Sequence, residues 1–90
     1  MRQKICPADV ISLCEANGQI RPLRVRFVDE EQAYCRMDID KILSRNEIHH
    51  VGAEAQHFLC CANVEGRRLI FELRYAMRSH SWCIASVDRI

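Results

Sequence analysis

The sequence predicts a mainly β, α+β domain: a five- or six-stranded antiparallel meander curled into a small SH3-like barrel, with one N-terminal helix. Three observations predict it. Beyond Gly18 the apolar residues recur at every second position, the strand period. Glu65-Gly66 lies at the centre of a segment whose two arms match apolar against apolar. Residues 7–16 carry the start and stop signals of a short helix. A chain of 90 residues has room for one core, so 1–90 reads as a single domain.

The helix comes first. Pro7 suits the first helical position, Asp9 favours the positive end of the helix dipole, and Asn17-Gly18 is a good stop. Val10, Ile11 and Cys14 then share one face, with Leu13 at its margin. So short a helix is marginal alone and must dock on something. The β-hairpins follow, over about 21–87. In Leu23-Arg24-Val25-Arg26-Phe27 the odd positions are apolar and the even ones charged, and residues 33–39 repeat the pattern. The polar stretch Asp29-Glu30-Glu31-Gln32 turns between them. Residues 41–48 hold no single alternation, which suits a third strand bulged or bent near Asp40-Lys41. Residues 49–54, with Gly52, form a loop.

The second hairpin gives the clearest local signal. A two-residue turn at Glu65-Gly66 sets Val64 against Arg67, Ala62 against Leu69, Cys60 against Phe71 and Phe58 against Leu73. A further turn at 77–80 sets Tyr75 opposite Trp82 and Leu73 opposite Ile84. The other face of the hairpin mixes Leu59, Cys61 and Ile70 with His57, Asn63, Arg68, Glu72 and Arg74. Its natural cover is the N-terminal helix; the alternative is a partner chain. The sheet hides its edges either in a barrel or as an open meander with the helix across one face.

Composition narrows the function classes. A chain 49% hydrophobic and 28% charged is that of an ordinary globular domain. Its apolar runs are far shorter than the ~20 residues that span a bilayer, so no membrane role is expected. The basic start Met1-Arg2-Gln3-Lys4 is followed by Pro7, Asp9, Ser12 and Glu15, which interrupt any signal-peptide pattern. The expected location is the cytoplasm, and the six cysteines read as reduced structural residues. The net charge of +1 exerts no general pull on a polyanion.

With the strands placed, Asp38-Ile39-Asp40-Lys41-Ile42-Leu43-Ser44-Arg45, Cys60, Glu65-Gly66-Arg67, Phe71-Glu72-Leu73-Arg74-Tyr75 and Trp82 form a recognisable series. It resembles a group of short uncharacterised bacterial proteins over roughly Leu23 to Ile84, the helix excluded. The resemblance implies a β-rich domain of bacterial cytosolic origin. It implies no activity and no site.

Candidate chemistry is thin. His49, His50 and His57 with Cys60 and Cys61 offer zinc-type ligands, but no Cys-x-x-Cys knuckle is present, and His57 and Cys60 point to opposite faces of one strand. No metal or other cofactor is expected. Cys61 near His57, or Cys83 across from Arg74, lacks the third group that orients a thiol nucleophile. Asp38 and Asp40 share a face about 7 Å apart, beside Arg24 or Arg36, where salt bridging explains them. No phosphate loop or nucleophile elbow occurs, so an enzyme is not expected.

Two binding readings are left. The first is a cytosolic adaptor or regulatory module acting through protein contacts or self-association, by way of Leu59, Cys61 and Ile70 and the sheet edges. The second is a small barrel that binds nucleic acid through Arg24, Arg26, Tyr34, Arg36, Arg68 and Arg74. Strand register bears on the second. Arg24 opposite Asp38 quenches that patch; Arg24 opposite Arg36 concentrates it.

Overall fold

In a computed structural model, which describes residues 5–29 and 31–85, the chain forms seven strands. They are β1 (Ile5–Cys14), β2 (Ile20–Val28), β3 (Tyr34–Asp38), β4 (Lys41–Ile48), β5 (Ala55–Val64), β6 (Arg67–Ala76) and β7 (Ser81–Ala85). All pairs are antiparallel, in one sheet of order β3-β2-β1-β7-β6-β5-β4. Glu30 of the first polar turn, the basic start and the residues that carry the last strand to 87 lie outside the described residues.

The helix expected at residues 7–16 is a strand. Cys6, Ala8 and Val10 are half-buried and alternate with exposed Ile5, Pro7, Asp9 and Ile11, a period of two. Val10 and Ile11 therefore point to opposite faces and share no helical stripe. Strand β1 divides its partners: Ile5 to Ala8 pair with β7, and Asp9 to Cys14 pair with β2. At Pro7 only the β7 side carries a ladder, so a residue without an N–H is tolerated there. The stop signal belongs to a hairpin. Gly18 has φ 88° and donates to the Glu15 carbonyl at 2.8 Å, while the Glu15 N–H bonds the Gln19 carbonyl at 2.8 Å. The same Asn-Gly chemistry that ends helices closes this turn.

The β5–β6 and β6–β7 hairpins keep the expected registers. Phe58 faces Leu73, Cys60 faces Phe71, Ala62 faces Leu69 and Val64 faces Arg67, with Tyr75 opposite Trp82 and Leu73 opposite Ile84. Glu65 and Gly66 both have positive φ, 52° and 79°, the geometry of a type I′ turn. Residues 41–48 form a strand whose irregularity falls between Ile42 and Ser44. The extra residue, Leu43, breaks the alternation: Ile42 opposes Cys60 on the inner side, and Ser44 opposes Leu59 on the outer side.

The sheet curls around one core of Val25, Met37, Phe58, Cys60, Ala62, Phe71, Leu73 and Ile84. Trp82 closes one end, its ring 4.8 Å from Tyr75 and 5.7 Å from Phe58. It is an open sheet and not a five- or six-stranded SH3-like barrel. The strands β3 and β4 are consecutive in the chain yet lie at opposite edges of the sheet, because the Ile39-Asp40 link between them is no hairpin turn and carries the chain straight from the β2 edge to the β5 edge. The link is fastened on both sides: the Ile39 N–H donates to Leu23 of β2, and the Asp40 N–H to Cys61 of β5. Past this point β2 and β4 diverge.

Candidate functional site

That divergence leaves an open groove of about 600 Å³, lined by Ile20's neighbours Arg21 to Leu23 on one wall and by Ile39 to Arg45 on the other. Both walls are strand edges. Residues Ile20 to Pro22 ladder with β1, whereas the β3 ladder begins only at Arg24. Strand β4 ladders with β5 and, among the described residues, with nothing on its other side. The far end of the groove is bridged by Arg45, whose Nη1 donates to the Ile20 carbonyl at 2.9 Å. The same guanidinium lies 5.5 Å from the centre of the Phe58 ring. Leu23 and Leu43, one on each wall, are 41% and 42% exposed, large apolar groups held in water beside unused backbone.

The two edges differ. Backbone groups of alternate residues point the same way, so Pro22 shares the direction of the Ile20 carbonyl and offers the groove no donor. Pro22 thus guards the β2 edge. The β4 edge carries no proline and keeps its donors. Lys41 and the bulge at Leu43 discourage indiscriminate pairing along it.

The residues singled out in the sequence fall elsewhere. Leu59, Cys61 and Ile70 do lie together on the outer face of β5 and β6, where Cys61 pairs with Ile70. No helix covers them, and Leu59 and Ile70 stay half-exposed, but Cys61 is 1% exposed, with Arg68 Nη2 3.7 Å from its sulfur. Such a thiol cannot be reached by a substrate, and His57 is turned instead toward Glu72, 3.8 Å away. Glu72 also accepts a hydrogen bond from Arg74 Nε. Cys83 faces Arg74, but burial pushes its thiol above the usual range, against the opposing pull of the arginine charge.

The arginine face has the quenched register. Arg24 pairs with Asp38 and bonds it at 2.6 Å. Arg26 opposes Arg36, yet Asp9 of the neighbouring strand takes it at 2.8 Å, and that bond holds the guanidinium still more firmly protonated. Tyr34, 73% exposed, lies 5.7 Å from Arg26. Arg68 and Arg74 lie on the separate β6 face. His49 bonds Glu47 at 3.0 Å, and among the described residues no three metal-type ligands converge.

The groove residues Arg21, Leu23, Lys41, Leu43 and Arg45 were not singled out as a group in the sequence. The available signals were Pro22 inside an otherwise regular strand and the broken alternation of 41–48. The fold and groove define a class, an all-β domain with an open groove between two strand edges. No family model, curated protein or solved structure matches the chain.

Proposed function

We propose that this domain is a non-enzymatic adaptor or regulatory module that captures an extended segment of a partner protein along the edge of β4. The observation that carries the reading is the eight-residue strand Lys41–Ile48, laddered on one side and bordered on the other by the groove. An added strand gains backbone hydrogen bonds to β4, and alternate side chains cover Leu23 and Leu43. At the far end the Arg45 side chain, and no backbone ladder, bridges β4 to β2, so the two edges stand further apart than the ~4.8 Å of paired strands. Leu59 and Ile70 on the outer face are a further apolar contact area for a larger partner.

The test is selection of short random peptides on the immobilised domain, followed by amide hydrogen exchange with the best binder. The amides of β4 are expected to become protected. Protection confined to β6, or no recovered peptide, would overturn strand capture. Oligonucleotide binding at ~50 mM salt with perturbed Arg24, Arg26 and Arg36 signals would favour the nucleic-acid alternative, since phosphate contacts are strongest at low salt.

A further inference from the structure

Resting on strand capture at β4, we infer that the groove selects acidic segments, in which Asp or Glu alternates with apolar residues. The charge around the groove is lopsided. Arg21, Lys41 and Arg45 line it against the single carboxylate of Asp40, a surplus of two positive charges, while the whole chain carries only +1. The other exposed arginines of β2 already have carboxylate partners in Asp38 and Asp9. Arg21 shares its charge only loosely with Glu15, at 3.6 Å, and its side chain stays 48% exposed. Arg45 spends its hydrogen bond on a neutral carbonyl. An entering strand would supply an N–H for the Ile20 carbonyl and release Arg45 to a carboxylate, a stronger charge-assisted bond.

The apolar half of the code follows from the walls. A strand presents its side chains alternately to two faces. One set would meet Arg21 and Lys41, which pair with Leu13 and Cys61 on the outer side of the sheet, and the other would lie over the apolar inner side with Pro22 and Ile42. A basic strand meets repulsion and a fully apolar one leaves the surplus positive charge uncompensated, so charge supplies the discrimination.

The experiment compares the wild-type domain with the R21E/K41E variant in the same peptide selection, both checked for native Trp82 fluorescence. Both replaced side chains are exposed, so the fold is expected to persist. Peptides recovered on the wild type should be enriched in Asp and Glu. Their affinity should fall at least about tenfold on R21E/K41E, and by a similar factor on raising salt well above the physiological level. The variant should instead recover Lys- or Arg-bearing peptides. Wild-type peptides without acidic enrichment, or acidic peptides that bind both domains equally, overturn the inference and leave strand capture standing. Recovery of no peptide at all removes strand capture, and this inference with it.

Discussion

Cys60 and Cys61 are neighbours in the chain that enter different surroundings. Cys60 points into the core, is 0% exposed, and stands opposite Phe71. Burial, helped by the adjacent Cys61, pushes its thiol from 9.0 up to about 12. In the unfolded chain the same thiol loses its proton near pH 9, so between about 9 and 12 the folded state holds more protons than the unfolded one. Stability is therefore whole below pH 9 and drains away as pH rises, by up to about 1.4 kcal/mol per pH unit from this group. Cys6, Cys35 and Cys83 are shifted the same way, each chiefly by burial, and add to the slope. Urea unfolding at a series of pH values, followed by Trp82 fluorescence, should show the decline. C60A should start less stable by about 1–2 kcal/mol, for its small cavity, yet decline less steeply. An unchanged slope in C60A would remove Cys60 as its main source.

Among the elements, the β5–β6 hairpin rests on a turn with one unsuitable residue. Glu65 holds φ 52° at the first central position of a type I′ turn, where a side chain other than Asn, Asp or Gly is strained. Its neighbour Gly66 already has the freedom its φ of 79° requires. E65N should raise the urea midpoint, by about 0.5–1 kcal/mol of stability, with an unchanged denaturant slope. A lower midpoint would mean that the Glu65 side chain makes a contact worth more than the strain. This hairpin was legible in the sequence because its signal is local: the turn fixes the register, and Phe58, Cys60 and Ala62 then meet apolar partners. Strand β1 was not. Pro7, Asp9 and Asn17-Gly18 satisfy the rules of helix capping and of hairpin closure alike, and the deciding partners, Trp82 to Ala85, lie at the other end of the chain. The groove was not legible in the sequence. The groove arises where β2 and β4 part, and its residues become neighbours only after Leu43 is bulged and the Ile39–Asp40 link is pinned from both sides.

For the whole molecule, β1 is the joint. It pairs with β2, which carries β3, on one side and with β7, which leads through β6 and β5 to β4, on the other, and its pairing of Ile5 with Ala85 joins the two ends of the described chain. Closing so long a loop costs entropy that no local contact offsets, whereas β5 and β6 meet across a two-residue turn. Folding should therefore begin in the β5–β6 hairpin and finish when β1 docks, on the millisecond-to-second scale of sheets built from distant pairings. Val10 and Leu69 both pack against the core, one on the late strand and one in the early hairpin. L69A should slow refolding with little effect on unfolding, and V10A should speed unfolding while refolding keeps its rate. Stopped-flow measurements on Trp82, which pairs with Ala8 of β1, read both. If V10A slowed refolding as much as L69A, the docking of β1 would belong to the nucleus, and the two ends of the chain would meet early despite their separation.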